Sequence, residues 1–404
     1  MILHTIVANG KTMVRFFTHN SVLALYFICI SFCLFAETPK KIKPLSSKTV
    51  CLNMIVKDES QVIERCLSSV KGLIDYWVIV DTGSTDGTQK KIKEMMKDIP
   101  GELYERPWIN FEHNRNEAIA LAKGKGDYLL FIDADEQLIF NNDFSLPALD
   151  ADLYLIPIKE RASHVLRACL VNTRLDWKYV GVLHESVICP EAKTSVELKG
   201  VIISAEAIDG HRTQDPDKNK KDAKILEEAL LKEPDNSRYR FYLAQAYWND
   251  RDYTKALENF NKSALMGGWD QEVFWSLNSI AMCQETLGME PSVFLKSYSM
   301  AYQYRPTRIE PLARMAAHYF KEQNYILSYI ISKYAASHDL HPNDSVFVEY
   351  PIYDYILFCI LADSANFIGK NEEAIEAYKQ ALKSKSLPED ARKTIEKIVG
   401  EQKK

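Results

Sequence analysis

Apolar runs alternate with amphipathic stretches between about residue 50 and residue 132. The segments CLNMIV, DYWVIV, ELYERP and DYLLFI predict strands at 51–56, 75–80, 102–107 and 127–132. The stretches between them predict helices at 60–71, 88–98 and 113–123. Strands and helices that alternate in this order predict a parallel, doubly wound α/β sheet.

The pattern changes after residue 150. Residues 151–208 contain the strand-like pieces YLIPIK, VLRACLV and VELKGVIIS and no long helical pattern. We expect these pieces to extend the sheet with antiparallel strands and to complete the site that the first half begins.

From about residue 218 to the end the pattern is helical. Small and aromatic residues recur at helical spacing in four segments, at 238–265, 279–306, 315–336 and 357–382. This is the pattern of tetratricopeptide repeats, in which small residues let paired helices approach closely. The spacing between copies varies, so a plain helical bundle is the alternative. The predicted domains are an N-terminal segment at 1–48, an α/β domain at 49–215 and a helical repeat domain at 216–404.

Residues 21–36 form an uncharged apolar segment near the N-terminus. A membrane-spanning helix usually needs about 20 apolar residues, so this segment is short for a span. We interpret it as a membrane anchor or uncleaved signal that keeps the rest of the chain at the cytoplasmic face. A cleaved signal with export of the protein, or a buried core helix, are the alternatives.

Composition narrows the classes of function. The 404 residues are 47% hydrophobic and 26% charged, which is ordinary for a globular protein of two domains. The net charge of −5, without a basic stripe, argues against a nucleic-acid partner. Eight cysteines occur without a CxxC or a zinc-type spacing, which predicts buried free thiols in a reducing compartment.

Acidic residues follow the predicted strands at their carboxyl ends, where α/β folds bind ligands. DYLLFIDADE places Asp133 and Asp135 after one strand. Two carboxylates make a poor core but suit Mg²⁺ or Mn²⁺, which share oxygen ligands with substrate phosphates. Asp58 follows the first strand, and Asp81 opens the turn DTGSTDGT, which suits a phosphate or ribose or is simply a well-capped turn. Arg115 at a helix start could pair with a diphosphate or be solvated.

The order of four motifs resembles the inverting, GT-A type glycosyltransferases of family 2. The motifs are MIVKDES, DTGSTDGT, RNEAIALAKGKGDYLLFIDADE and WKYVGVLHE, within about 50–210. With the helical repeats, the chain is similar to a bacterial subgroup related to bacteriocin S-glycosyltransferases. The resemblance implies a Rossmann-like, mostly parallel sheet followed by a tetratricopeptide-like helical array.

The resemblance also implies roles for the donor-side residues. Asp81 would contact the nucleotide base, with Asp58 and Arg115 also on the donor side. Asp133 would lie near the ribose and metal, and Asp135 would ligate Mn²⁺ or Mg²⁺ at the donor's diphosphate, whose charge grows as it leaves.

The acceptor side rests on WKYVGVLHE and on one further histidine. An inverting transfer needs a general base, for which Glu185 is the candidate and His184 the alternative. His184 could instead be a metal ligand. His211 could be a third metal ligand. As structural alternatives, His184 is a packed histidine and His211 a residue at the domain junction.

The sequence therefore predicts a metal-assisted, inverting hexosyltransferase that uses a nucleotide-sugar donor, a UDP-sugar in our interpretation. Its acceptor would be a protein, glycan or lipid, and its repeats would bind the acceptor or a protein partner. An inactive transferase-like adaptor is the alternative, against which the intact acids argue. A nucleotidyltransferase is disfavoured because MIVKDES supplies only Lys57 of the basic residues such a loop needs. The absence of Q-x-x-R-W argues against a processive polymerase.

Overall fold

The computed structural model describes residues 2–8, 11–17, 48–160, 163–205, 210–338, 344 and 347–401. The chain divides into two compact units, one of residues 36–268 and one that joins 1–35 to 269–404. The apolar segment predicted to be an anchor, at 21–36, lies outside the described residues. Within the described ranges, none of the helices has the length and apolar character needed to span a bilayer.

The first strands in the chain form a separate hairpin. β1 (Ile2–Ala8) pairs antiparallel with β2 (Lys11–Phe17). The sequence patterns did not predict this pair.

The parallel half of the main sheet agrees with the prediction. The elements in chain order are β3 (Val50–Val56), α1 (Ile63–Val70), β4 (Tyr76–Asp81), α2 (Thr88–Met95), β5 (Gly101–Glu105), α3 (Phe111–Leu121) and β6 (Tyr128–Phe131). The strand order is β5-β4-β3-β6, and every neighbouring pair is parallel. β3, β4 and β6 are almost wholly buried, which explains why they read as continuous apolar runs. Their carboxyl ends lie at one edge of the sheet.

The second half of the sheet corrects the sequence prediction in part. It contains β7 (Gln137–Phe140), β8 (Leu153–Glu160), β9 (Ser163–Asn172), β12 (Ser195–Glu197) and β13 (Val201–Ser204), while β10 (Lys178–Val180) and β11 (Ser186–Ile188) form a separate ribbon. β9 runs antiparallel to β6 and β8, as expected. β12 and β13 instead run parallel to β8, because the chain makes the β10–β11 ribbon before it re-enters the sheet.

Helices pack on the sheet through one apolar face. α1 buries Ile63, Cys66, Leu67 and Val70 in the main core, at the spacing of a single helix face. Burial of one such Leu or Ile side chain contributes about 1.5–3 kcal/mol. The described cysteines are free, and all but the partly exposed Cys189 are buried, as predicted.

The rest of the chain is helical, as predicted. α4 (His211–Gln214), α5 (Lys218–Lys232), α6 (Ser237–Asn249) and α7 (Tyr253–Met266) belong to the unit that contains the sheet. The other unit contains α8 (Asp270–Thr286), α9 (Pro291–Tyr304), α10 (Glu310–Lys321), α11 (Tyr325–Ala336), a π-helical turn (Ile352–Ile356), α12 (Leu357–Phe367), α13 (Asn371–Leu382) and α14 (Glu389–Glu401).

Each of the four predicted repeat segments forms a pair of contacting helices. The small residue that marks each copy is fully buried, namely Ala244, Ala281, Ala316 and Ala362. The predicted domain boundary at 215/216 falls between α4 and α5, whereas the compact unit continues to Gly268.

Candidate active site

The turn after β4 is built around Asp81. Its Oδ1 accepts hydrogen bonds from the backbone N–H groups of Gly83 at 2.9 Å and Ser84 at 2.8 Å. Gly83 has φ of 106°, a conformation that favours glycine. The other carboxylate oxygen, Oδ2, is buried and has no hydrogen-bond partner among the residues that the structure describes. A buried acceptor without a partner is costly, so it suits an incoming N–H donor.

Asp58 ties the loop after β3 to the loop after β4. Its Oδ1 accepts from the backbone N–H of Thr85 at 2.7 Å, and its own N–H donates to Ser84 Oγ at 2.8 Å. Asp86 makes a second link through the backbone N–H of Ser60, at 2.8 Å. Burial opposes ionisation of Asp86, but hydrogen bonds from Thr88 and Ser60 outweigh it and lower its pKa to about 2. The Asp58 carboxylate thus holds the loop. Neither Asp58 nor Asp81 lines the cavity described next, whose lining includes the adjacent Thr82.

A cavity of about 670 Å³ opens at this edge of the sheet. It is bordered by the ends of β3 and β6, by α3, by the turn before β11 and by α4 and α5. The predicted site residues that line it are Arg115, Asp133, Asp135, His184 and Glu185. Its volume is within the usual range for ligand sites, about 300–1,000 Å³.

Arg115 joins the two halves of the site. Its Nη2 donates to Asp133 Oδ1 at 2.7 Å, and its Nε donates to Glu185 Oε1 at 2.5 Å. The guanidinium also lies 5.2 Å from the ring centre of Tyr179. One cation therefore fixes the donor-side acid and the candidate base relative to each other, although they are 52 positions apart in the sequence.

The asparagines beside Arg115 fix the helix that carries it. Asn114 accepts from the backbone N–H of Ile109 at 3.0 Å and donates to Pro107 O at 3.0 Å. Asn116 makes two 2.8 Å hydrogen bonds with the backbone of Tyr179. In the motif HNRN, Arg115 therefore faces the cavity, and the asparagines on either side of it bind the neighbouring backbone and hold the helix in place.

Two charged residues of the site were missed by sequence reasoning. Arg167 donates to both oxygens of Glu136, one of them at 2.9 Å, and its Nη1 lies 3.5 Å from Asp133 Oδ2. Glu136 in turn accepts from the backbone N–H of Asp133 at 3.0 Å. The available signal was the single charge inside the apolar strand pattern VLRACLV, because a charge in such a strand needs a partner.

The two acids of the DAD sequence have different electrostatic surroundings. Burial would raise the pKa of Asp133, but the charges of Arg115 and Arg167 hold it below its ordinary value. Burial, and then the charges of Asp133 and Glu136, raise the pKa of Asp135 to about 6. Among the described residues no ion pair includes Asp135. Asp135 is therefore the acid that a bound cation would stabilise most.

Gly210 lies directly against Asp135. A Cβ added to Gly210 would lie 2.5 Å from Asp135 Oδ2, so any larger residue here would displace the Asp135 carboxylate. The next residue, His211, begins α4, and its side chain is not among the described ones. In the part of the chain that is described, no cluster of three or more His, Cys, Asp or Glu residues could hold a metal ion. His211 as a third ligand stays a prediction.

The turn Gly181–Glu185 brings His184 and Glu185 to the cavity wall. Gly181 has φ of 120° and His184 φ of 52°. The ring of His184 stacks on Tyr242, with centroids 3.9 Å apart and planes within 12°. Desolvation, and then the charge of Lys218, lower the pKa of His184, so the imidazole is neutral at pH 7.

A basic group on α4 and α5 was also missed. Arg212 donates to Asp222, and Lys218 Nζ lies 3.1 Å from the other oxygen of the same, nearly buried, carboxylate. Lys221 donates to Asp215 at 2.6 Å. These residues line the cavity. In the sequence they appear only as the charged start of a helix.

Comparison with known families agrees with this geometry. Residues 51–143 match the model of Glycosyl transferase family 2, and residues 223–269 match a Tetratricopeptide repeat model. The SPbeta prophage-derived glycosyltransferase SunS of Bacillus subtilis is 26% identical over 230 residues, which are 53% of each chain. An uncharacterized glycosyltransferase of Rickettsia bellii is 32% identical over 94 residues, which are 23% of this chain and 30% of that protein.

A TPR repeat-containing protein of Synechococcus elongatus is 42% identical over 91 residues, which are 22% of this chain and 21% of that protein. The chain thus spans between about a fifth and about half of the length of these curated relatives. Among solved structures, S. aureus TarS in complex with UDP-GlcNAc has a TM-score of 0.31 at 13% identity, over 73% of this chain and 95% of that one. A thermophilic TPR protein of Thermus thermophilus has a TM-score of 0.32 at 15% identity, over 45% of this chain and 91% of that one.

Proposed function

Since residues 51–143 form a glycosyl transferase family 2 domain, we propose that the chain moves a hexosyl group from a nucleoside-diphosphate donor to an acceptor, with inversion. A UDP-sugar is the proposed donor, and a protein, glycan or lipid is the proposed acceptor. The observation that carries the proposal is the unequal pair of acids after β6. Asp133 is held by two arginines, while Asp135 faces the same cavity without an ion-pair partner among the described residues.

On the donor side, Asp81 would receive the base and Arg115 would lie toward the diphosphate. The unpartnered Oδ2 of Asp81 supports the first role, because a base N–H would supply its missing hydrogen bond. The loop contacts of Asp58 make it a support of the donor site rather than a direct contact in this proposal.

A divalent cation, Mn²⁺ or Mg²⁺, fits the residues present. Asp135 and Asp133 would hold it, with His211 as a third ligand, and the raised pKa of Asp135 is the observation that supports the fit. Carboxylate oxygens are the ligands that such hard cations prefer. When bound, the cation would neutralise charge that develops on the departing diphosphate.

On the acceptor side, Glu185 would take the acceptor's proton. As the acceptor attacks the anomeric carbon, the bond to the diphosphate breaks and the proton passes to the Glu185 carboxylate. Arg115 fixes that carboxylate against the cavity. His184 is the alternative base: its lowered pKa keeps the ring unprotonated at pH 7 but makes it a weaker proton acceptor than an ordinary imidazole.

The remaining parts would locate the acceptor. We propose that the helical repeats bind a protein partner or the acceptor itself, as such arrays offer extended surfaces. We also propose that residues 21–36 attach the protein to a membrane with the catalytic domain in the cytoplasm. Protease treatment of intact cells tests this: protection of the C-terminus supports it, and digestion favours an exported protein.

Calorimetric titration with UDP tests the donor site without knowledge of the acceptor. We expect binding in Mn²⁺ that weakens at least about tenfold in EDTA, which removes the cation, or in Asp135→Asn, which removes one of its ligands. Asp98→Asn, at an exposed acid of the same domain, is the matched control. If no nucleotide binds to the wild type, the result favours the alternative, an inactive transferase-like adaptor.

A further inference from the structure

The turn that carries the candidate base is held on one side by α3. Glu112 Oε2 accepts from the backbone N–H of Gly181 at 3.2 Å. Asn116 holds the backbone of Tyr179, and Arg115 holds the side chain of Glu185. These contacts come from within the family 2 domain and fix the start of the turn and its last side chain.

The opposite side of the turn is held by α6, the second helix of the segment that matches the repeat model. The backbone N–H of Val182 donates to Tyr239 Oη at 3.3 Å. Arg238 Nη2 donates to the carbonyl of His184 at 3.2 Å, and the His184 ring stacks on Tyr242. The Arg238 guanidinium also lies 4.9 Å from the Tyr242 ring centre.

The turn needs such support because of its backbone conformation. His184 has φ of 52°, a left-handed conformation that residues with a side chain rarely adopt. Conformations of this kind persist where surrounding contacts over-determine them, and they cluster at functional sites. Two of the contacts that fix His184, its stacked ring and its bonded carbonyl, come from α6.

We propose that Arg238, Tyr239 and Tyr242 are positioning residues for the His184–Glu185 turn, so that the first helical repeat is part of the catalytic apparatus. The proposal rests on the proposed sugar transfer for its catalytic meaning. The three residues do not touch the reacting atoms; they act through the turn that carries the base. The repeat therefore has a role in the rate of the reaction besides any role in binding a partner.

Hydrogen exchange tests the positioning without reference to activity. In Tyr242→Ala, amide exchange in the peptide covering 181–186 should rise at least about tenfold, while exchange in α3 stays unchanged. Tyr253→Ala is the matched control, since Tyr253 belongs to the same repeat but packs on Trp248. Unchanged exchange in 181–186, or an equal rise in the control, overturns the proposal.

Measurement of kcat tests whether this positioning of the His184–Glu185 turn affects the reaction. We expect Tyr242→Ala to lower kcat by about 10- to 100-fold, because small displacements of a catalytic group cost that much, with the KM for the donor within about twofold. Tyr242→Phe, which keeps the stacked ring, should recover most of the lost kcat. An unchanged kcat, or a loss that lies wholly in donor KM, overturns the proposal.

Arg238→Gln gives an independent measurement if Tyr242→Ala does not fold. It removes the hydrogen bond to the His184 carbonyl from a partly exposed position, so the fold should survive. We expect amide exchange in 181–186 to rise and kcat to fall, each by less than in Tyr242→Ala. The absence of both effects contradicts the proposal. If the variants show the exchange effect but the wild type binds no nucleotide sugar, the proposed function is contradicted and the positioning is not.

Discussion

At the scale of single residues, Arg115 and Arg167 hold Asp133 by ion pairs, whereas Asp135 has no ion-pair partner among the described residues. Asp81, Asp133 and Asp135 follow strand patterns, so the edge of the sheet where they lie was predictable. The Arg167–Glu136 pair was not, because it joins residues 31 positions apart whose partners only the folded sheet brings together. The side chain of Asp58 was assigned to the donor, yet its hydrogen bonds lie within the loops.

Arg115→Lys should break the link that Arg115 makes between Asp133 and Glu185. A lysine carries one compact ammonium and cannot donate to Asp133 and Glu185 in the geometry of a guanidinium. We expect kcat/KM to fall roughly 100-fold. Arg106→Lys, at a more exposed ion pair with Glu117, is the control and should change kcat/KM less than threefold. Equal effects of the two substitutions would contradict the assigned role.

Gly210→Ala should disturb Asp135 without altering any charge. The added methyl would lie 2.5 Å from Asp135 Oδ2, so the carboxylate must move. We expect Mn²⁺ affinity, measured by calorimetry, to fall about tenfold or more. Gly400→Ala, where a Cβ meets nothing within 4 Å, is the control. Wild-type affinity in Gly210→Ala would contradict a metal held by Asp135 in the position that the structure shows.

At the scale of elements, the strands that the sequence predicted are those whose apolar runs and bounding turn residues lie within one short segment. The parallel strands β3, β4 and β6 are buried on both faces and bounded by turn residues, so their apolar runs were sufficient. The direction of β12 and β13 depends on where the β10–β11 ribbon returns the chain, which no local pattern encodes. β7 is four residues long and only partly buried, which left too little periodicity to detect.

The α12–α13 pair should be sensitive to pH through Asp363. This carboxylate is buried, accepts from the Tyr378 hydroxyl and leaves Oδ2 without a partner in the described residues. Burial raises its pKa from 3.8 to about 7, although the hydrogen bond from Tyr378 opposes the rise. The unfolded chain ionises first, so stability is greatest below pH 4 and is lost as pH rises to about 7.

Urea unfolding between pH 5 and pH 8 measures this effect. From the folded and unfolded pKa values the total loss is on the order of 4 kcal/mol, of which roughly 2 to 3 kcal/mol falls between pH 5 and pH 8. Asp363→Asn should remove the part of the pH dependence of the free energy of unfolding that Asp363 contributes. Asp390→Asn, at an exposed acid, should leave it as in the wild type. The same dependence in all three proteins would show that Asp363 ionises normally in the fold.

At the scale of the whole molecule, the order of a transferase domain and helical repeats was predicted from the motifs and is matched by both family models. The limits of the compact unit were less predictable, because α5, α6 and α7 read as repeats but group with the sheet. A repeat pattern predicts only how a helix packs against the helices next to it in the sequence. It does not record the contacts of Arg238, Tyr239 and Tyr242 with a distant turn.

Truncated chains distinguish the predicted domain boundary at 215/216 from the end of the compact unit at Gly268. A chain that ends at Gly268 keeps the helices that contact the His184–Glu185 turn and should retain UDP affinity within about threefold of the full chain. A chain that ends at residue 215 loses α6 and exposes apolar residues of the turn region, so we expect poor solubility or loss of UDP binding. Equal UDP binding by both truncated chains would contradict the grouping of the first repeat with the sheet.

A donor screen read by nucleotide release tests the central claim most directly. Purified protein is incubated with a panel of nucleotide sugars in Mn²⁺ or in EDTA, beside Asp135→Asn and Glu185→Gln. We predict that one UDP-sugar releases UDP in Mn²⁺ and that EDTA or either substitution lowers the rate at least about 100-fold. Release that is equally fast in EDTA and in Asp135→Asn would contradict the account.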